Sequence, residues 1–482
     1  MELIFEKSRP GRTATTIPKS DVPEVVIESI INKNLIREDV DLPEVAEVDL
    51  IRHYTQLSKR NFGVDVGFYP LGSCTMKYNP KINEEAAKLS GFTSLHPYAP
   101  VSFSQGSMQL MYELRLYLSE IFGMADFALQ PAAGAHGELT GVMVMKKYFE
   151  QKGEKRTQIL IPDAAHGTNP ASGALCGYQV VTVRSNAEGG VDITHLQELM
   201  TENVAGLMLT NPNTLGLFER NIEHIAGIIH HRGGFLYCDG ANANAFMGIT
   251  KPGHLGIDVI QLNLHKTFST PHGCGGPGSG PVGVGKDLVP YLPVPRVVKK
   301  GKVYDWNYDY HGSIGRVRAF YGNFNVMVKA YTYILSSGPD GLKRASEIAV
   351  LNANYVKEQL KPYFDIAYDR ICMHECVFSG RRQVRESGVH TTDIAKRLLD
   401  YGYHPPTIYF PLIVPEAIMI EPNETESKET LDAFCDVMIT IAKETKETPD
   451  LVKSAPLTTP VRRLDDVKAA REPNVCWEKS HT

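Results

Sequence analysis

Val259-Ile260-Gln261-Leu262-Asn263-Leu264-His265-Lys266-Thr267-Phe268-Ser269 is an apolar run that ends on a His-Lys pair, and Pro271-His272-Gly273-Cys274-Gly275-Gly276-Pro277-Gly278-Ser279-Gly280 follows it directly. The run reads as a buried strand, and the glycines after it admit backbone conformations closed to other residues. Such a frame can mount a reactive amine. Burial disfavours the charged form of a lysine, and a neutral amine is what attacks an aldehyde to form a Schiff base. Lys266 is therefore the first catalytic candidate. The ordinary alternative is a solvated lysine at a strand end, so partners elsewhere in the chain have to decide.

The chain bounds the possibilities first. Its 482 residues suggest two or three domains with ample core. Hydrophobic residues at 43% and charged residues at 22% describe an ordinary globular protein. A net charge of -5 gives no footing for nucleic acid. The eight cysteines are scattered without a CxxC, which argues against a disulfide framework and for a reducing, cytoplasmic setting. Cys372-Met373-His374-Glu375-Cys376 lacks a second ligand pair, so no metal site is expected there. Met1-Glu2-Leu3-Ile4-Phe5-Glu6-Lys7 is not a leader of basic then apolar character, and no apolar run approaches the roughly 20 residues a spanning helix needs.

In chain order, residues 1 to 100 read as an extended arm punctuated by Pro18, Pro23, Pro43, Pro70, Pro80, Pro97 and Pro100, with a short helical piece at Glu24 to Asn32. From Ser104 the apolar residues Met108, Met111, Leu114, Leu118, Ile121 and Phe122 recur at helical spacing. Gln130-Pro131-Ala132-Ala133-Gly134-Ala135-His136-Gly137-Glu138 then opens a helix. Small residues at a helix start leave backbone N–H groups free for an anion such as a phosphate. Three apolar runs follow, each ending in polar residues: Ile159 to Ile161 before His166, Val204 to Leu209 before Thr214, and Phe235 to Cys238 before Asp239-Gly240-Ala241-Asn242. Strands alternating with helices give a mainly parallel α/β sheet, whose ligands bind beyond the carboxyl ends of the strands. His166, Thr214, Asp239 and Lys266 would converge there.

That set matches the needs of pyridoxal 5'-phosphate: a lysine for its aldehyde, a carboxylate to keep the ring nitrogen protonated, a ring face to stack on, and donors for its phosphate. Lys266, Asp239, His166 and the Gly134-Ala135-His136 loop supply these in turn. Asp239 followed 27 residues later by Lys266 is harder to dismiss than either alone.

Longer motifs carry a resemblance. Asp239-Gly240-Ala241-Asn242, Leu262-Asn263-Leu264-His265-Lys266-Thr267-Phe268, Leu71-Gly72-Ser73-Cys74-Thr75-Met76-Lys77, Ala165-His166-Gly167-Thr168-Asn169-Pro170-Ala171-Ser172 and Glu421-Pro422-Asn423-Glu424-Thr425-Glu426-Ser427 resemble the P-proteins (glycine decarboxylases) of the glycine cleavage system. His136 stands where the long form tends to carry Gln. The chain resembles only the C-terminal half of that long form, as the separately encoded subunit 2, or beta subunit, does.

The resemblance implies a fold type I, aminotransferase-like large domain over 101–330, a smaller C-terminal α+β domain and tail over 331–482, and the arm over 1–100. It implies decarboxylation of glycine with transfer of the aminomethyl group to the lipoyl arm of the H-protein, and Lys266, His166 and Asp239 as catalytic residues. Ala241, Gly134, Ala135, His136, Thr214 and His265 join these three in holding the cofactor. It further implies an alpha subunit of similar fold and an alpha2-beta2 heterotetramer. Another enzyme of the same fold, an aminotransferase or a decarboxylase needing no carrier, and a cofactor-binding scaffold subunit are the alternatives. Residues 301–322, rich in Tyr, Gly and Asp, read as a long functional loop or a surface excursion.

Overall fold

The computed structural model describes residues 2–14, 17–37, 40, 42–273 and 275–477; Cys274 and the last residues of the tail lie outside the described residues. The chain forms two compact units, Met1–Val66 and Gly67–Thr482. In the first, one helix, Glu47–Ser58, accompanies the 3-10 turns Ile27–Ser29 and Lys33–Leu35. The helical piece expected over Glu24 to Asn32 is reduced to the first of these turns. Val45 and His53 are buried, whereas Ile17, Ile30, Leu35 and Leu42 are exposed.

The larger unit is built on a seven-stranded sheet of order β1-β7-β6-β5-β4-β2-β3. Its strands are β1 Asp126–Ala128, β2 Gln158–Pro162, β3 Gln179–Val183, β4 Val204–Thr210, β5 Phe235–Gly240, β6 Val259–Leu262 and β7 Val282–Val284. β2 through β6 pair in parallel, and β7 joins β6 and β1 antiparallel. Both faces are covered. In β5, Leu236 and Cys238 enter one core beside Leu114, Leu118 and Phe122 of the Gln105–Phe122 helix, while Phe235 and Tyr237 enter another beside Val142, Met145 and Phe149 of the Gly134–Lys152 helix. Two buried faces explain why these strands read as continuous apolar runs rather than alternating ones.

β8 Arg296–Lys300 and β9 Val303–Asn307 form a hairpin, so the first part of the 301–322 stretch is strand rather than loop. Trp306, Phe320 and Tyr321 from this stretch line a cavity of about 310 Å³ with Phe92, His96 and Phe324. The helix Phe324–Leu360 breaks at Gly338, which sits at φ 61°, and Pro339 follows without a backbone N–H. Beyond it, β10 Asp365–Ile366, β11 Cys376–Ser379, β12 Thr407–Ile408 and β13 Ala417–Ile420 make an antiparallel sheet of order β10-β11-β13-β12. That sheet packs Phe378, Ile418 and Ile420 onto Phe434 and Met438 of the Lys428–Glu447 helix. The tail contains two further short helices, Pro449–Ser454 and Asp466–Arg471.

The sheet interior has no slack at Gly206 of β4. A Cβ there would stand 2.0 Å from the carbonyl oxygen of Phe235 in the adjoining strand. Gly206→Ala is expected to destabilise the fold by about 3 kcal/mol or more, since backbone cannot move aside as a side chain does. A urea-unfolding midpoint equal to that of the parent would contradict this.

Candidate active site

The parallel run β2, β4, β5 and β6 places four loop starts at one edge of the sheet. Asp239 ends β5, fully buried, beside Thr210 of β4 and Gln261 of β6. Its Oδ2 lies 2.6 Å from His166 Nδ1 and accepts from Asn169 Nδ2 at 3.4 Å and Thr210 Oγ1 at 3.5 Å, while Oδ1 accepts the Ala241 N–H at 3.0 Å. Burial alone would raise this carboxyl. The His166 ring, the donors and the nearby Lys266 charge outweigh it and hold Asp239 below the usual carboxylate range. His166 rests on the loop after β2, and its Nε2 is buried without a partner.

Lys266 lies on the helical turn Leu264–Thr267, not on the end of β6. The turn begins two residues after Leu262, and Asn263 at its start has extended backbone. Lys266 is 9% exposed, and its Nζ donates to the carbonyl of Ser73 at 2.8 Å. Its charge acts on the carboxyls of Glu138, Asp239, Glu375 and Glu421, which places all four around one centre. Glu138, the fifth residue of the Gly134–Lys152 helix, accepts from Thr168 Oγ1 at 2.9 Å and Ser172 Oγ at 3.5 Å. Burial, with Asp239 adding to it, pushes Glu138 up to about 8.

The helix start at Gly134 carries no side-chain cap, so its first N–H groups, including those of Ala135 and His136, have no partner within the helix. The loop before it is fixed from three sides. His136 Nδ1 accepts the Ala132 N–H at 3.1 Å, Asn323 Nδ2 donates to the carbonyls of Ala132 and Gly278, and the Gly280 N–H donates to the Pro131 carbonyl at 3.0 Å. Glycine is required at 280, where a Cβ would stand 2.0 Å from the Ala133 oxygen. His265 Nδ1 accepts the Ser279 N–H at 3.2 Å, and burial, then the charges of Lys266 and His272, press His265 down to about 3, which keeps it a neutral acceptor. Thr214 is fully buried and its hydroxyl donates to the Ala164 carbonyl at 2.9 Å, steadying the loop that bears His166.

Other residues of the centre escaped sequence reasoning. The Ser73 carbonyl is a backbone atom and has no residue signature. Glu375 opens onto β11 and Glu421 follows β13; both are buried, and Glu375 accepts the Ser73 N–H at 2.7 Å while Glu421 accepts the Thr75 hydroxyl. With His374 they form a fully buried group whose ligand-type atoms lie within 4.8 Å of one another. Cys372 is not part of it, so the metal-like spacing noted in the sequence does not describe what the fold assembles. The signal that could have found Glu421 is its place in a motif already quoted beside Glu424.

The arrangement fits pyridoxal phosphate on its own geometry. An amine, a buried carboxylate kept anionic, an imidazole with an orphaned nitrogen and an uncapped helix start share one edge of the sheet. Comparisons agree. The family described as glycine cleavage system P-protein matches residues 15–306, and the glycine dehydrogenase C-terminal domain matches residues 345–457. The chain is 62% identical to a probable glycine dehydrogenase (decarboxylating) subunit 2 from Caldanaerobacter subterraneus subsp. tengcongensis over 99% of each chain. It is 59% identical to the protein of the same description from Halalkalibacterium halodurans, over 99% of this chain and 98% of that one. Among solved structures, a glycine decarboxylase (P-protein) in inhibitor-bound form superposes with a TM-score of 0.73 at 18% identity, covering 86% of this chain and 94% of that one. A cysteine desulfurase from Escherichia coli gives 0.60 at 17% identity, covering 81% and 98%. The architecture is that of pyridoxal-phosphate fold type I. The chain belongs to the glycine cleavage system P-protein family.

Proposed function

We propose that the chain decarboxylates glycine with pyridoxal 5'-phosphate and passes the remaining aminomethyl group to the lipoyl arm of the H-protein. The observation that carries this reading is the convergence of Lys266, the Asp239–His166 pair and the uncapped Gly134 helix at one sheet edge, in a member of this family. Pyridoxal phosphate, when bound, supplies an aldehyde and an electron-poor ring that takes up the electron pair left as CO2 departs. The chain's residues supply the rest. Lys266 is the amine for the aldehyde. Asp239, held anionic by its donors, would keep a proton on the ring nitrogen. The Gly134, Ala135 and His136 N–H groups would take the phosphate. His166 is read as offering a ring face, and its hydrogen bond to Asp239 also orients that carboxylate.

The same reading takes 101–330 as the cofactor domain, and an alpha subunit as partner in an alpha2-beta2 assembly. The exposed Ile17, Ile30, Leu35 and Leu42 support a partner, because such a run of apolar side chains calls for a cover. The relatives bear the designation subunit 2, which supports it as well. A cytoplasmic setting is consistent with free thiols at all the described cysteines. No helix among the described residues is long and apolar enough to cross a membrane.

Exchange of labelled bicarbonate into glycine, with partner subunit and lipoylated H-protein present, tests the function. Activity is expected from the parent, and none from Lys266→Ala, which should also show no cofactor fixed to the chain by borohydride. Cofactor still fixed at parental level in Lys266→Ala would overturn the assignment.

Asp239→Asn is expected to lower turnover roughly a hundredfold with cofactor retained, because an amide cannot hold the ring proton through a charged hydrogen bond. If His166 acts partly through Asp239, the double variant with His166→Phe should be scarcely slower than Asp239→Asn alone. Full additivity of the two losses would separate the residues.

Glu138 yields a pH dependence. Below its ordinary value of 4.5 both folded and unfolded chains carry the proton; up to about 8 only the folded chain does. Raising the pH across that window favours the unfolded chain, so the stability tied to Glu138 is whole at the acid end and lost at the alkaline end. Glu138→Gln has no proton to lose. Its Tm relative to the parent should climb from pH about 5 to pH about 8, and melts showing a flat or falling difference would refute the buried neutral acid.

A further inference from the structure

The segment Pro70 to Lys77 is sewn to the small domain almost residue by residue. Leu71 bridges Ile420, the Glu421 N–H donates to the Pro70 carbonyl at 3.2 Å, and Thr407 Oγ1 donates to the Gly72 carbonyl at 2.7 Å. The Ser73 N–H donates to Glu375 Oε2 at 2.7 Å and the Thr75 hydroxyl to Glu421 Oε1. Asn423 Nδ2 reaches the Met76 carbonyl at 3.1 Å, and the buried Lys77 Nζ meets Glu424 Oε1 at 2.6 Å. Ser73 itself is held at φ 64°, a left-handed conformation that costs a non-glycine residue energy and persists only where its surroundings impose it. Its carbonyl is the acceptor of the Lys266 amine. Gly72 cannot become larger, since a Cβ would lie 2.2 Å from Met419.

We propose that the Ser73 carbonyl is the resting acceptor for the Lys266 amine whenever that amine is not bonded to cofactor, and that Glu375 and Glu421 are positioning residues that hold the Ser73 turn in place. This rests on the reading of Lys266 as the cofactor lysine. The amine is released each time glycine's own amine takes its place, and it has to return to the same point. A fixed acceptor shortens that search, because the lysine side chain otherwise has several rotatable bonds to explore.

The carboxyls suit this task as neutral acids. Burial, then the charge of Glu421, raises Glu375 well above its ordinary value, and burial pushes Glu421 up to about 8. A neutral acid accepts the Ser73 N–H or the Thr75 hydroxyl without adding a second full negative charge beside Asp239. Glu375 Oε1, Glu421 Oε2 and both ring nitrogens of His374 are buried without partners. This buried group is therefore polar and only partly hydrogen-bonded, unlike a core optimised for apolar packing.

The full chain, assembled with its partner subunit and stripped of cofactor, tests the proposal. Pyridoxal phosphate is added back, the rate of its capture is followed by absorbance, and borohydride with peptide mapping locates the attachment. Glu375→Ala is expected to slow capture at Lys266 by about tenfold, the loss of roughly one hydrogen bond's worth of positioning. Glu375→Gln, which mimics the neutral acid and keeps the acceptor, should restore the rate to within about threefold of the parent. Thr75→Val, which removes only the hydroxyl facing Glu421, should also slow capture and serves where Glu375→Ala does not fold. Parental rates in Glu375→Ala or Thr75→Val, or a Glu375→Gln as slow as Glu375→Ala, would overturn the proposal. Attachment in the parent at a residue other than Lys266 would instead overturn the cofactor assignment, and this proposal with it.

Discussion

A carboxylate without access to water has to be kept charged by its neighbours, and the centre of this protein is arranged around that requirement at Asp239. Removing a carboxylate from water costs several kcal/mol unless donors and opposite charge replace the solvent. Here they are His166, Asn169, Thr210, the Ala241 N–H and Lys266, drawn from the ends of β2, β4, β5 and β6 and the helical turns that follow. Only a parallel sheet delivers so many separate chain segments to one edge with their polar ends facing the same way. The sheet order and the registers of β4 with β5 and β5 with β6 thus serve one carboxylate as much as they serve the core.

The same centre holds other carboxyls in the opposite state. Glu138 and Glu421, each pushed up to about 8, and Glu375, raised well above its ordinary value, stand near Asp239 or Lys266 without comparable donors. One ionised acid among neutral ones sets Asp239 apart from the other carboxyls around Lys266. Environments that drive like groups to different protonation states are a recurring way of dividing roles within a site.

What the sequence made legible follows from where the physical signal is local. Asp239, His166 and the Gly134 loop each sit at a sharp change from apolar to polar residues, and that change is what a strand end looks like. Lys266 was found by the same signal but placed one step wrongly, on a strand rather than on the turn Leu264–Thr267, because the single residue between Leu262 and Leu264 is too little for an apolar pattern to distinguish the two. Thr214 obeyed the rule for strand ends, yet its hydroxyl turns to the Ala164 carbonyl. Ser73, Glu375 and Glu421 were out of reach for another reason: one acts through a backbone atom, and the others are brought in by a second sheet whose docking no local pattern encodes. The arm over 1–100 read as irregular because its apolar residues are spaced for neither strand nor helix, and its longest described helix, Glu47–Ser58, is mostly polar.

The Ser73 turn has a consequence for how the protein is made. Ser73 and Glu375 are 302 residues apart, Thr75 and Glu421 346 apart, and Ser73 and Lys266 193 apart. Contacts of such span are closed late, after the local helices and the parallel sheet have formed. A ribosome that has completed the seven-stranded sheet has therefore still not finished the contacts of the Ser73 turn; those wait for β13 to emerge. Translation order alone would then guard the nascent chain, leaving Lys266 an unplaced amine until the last domain arrives to hold the first turn against it.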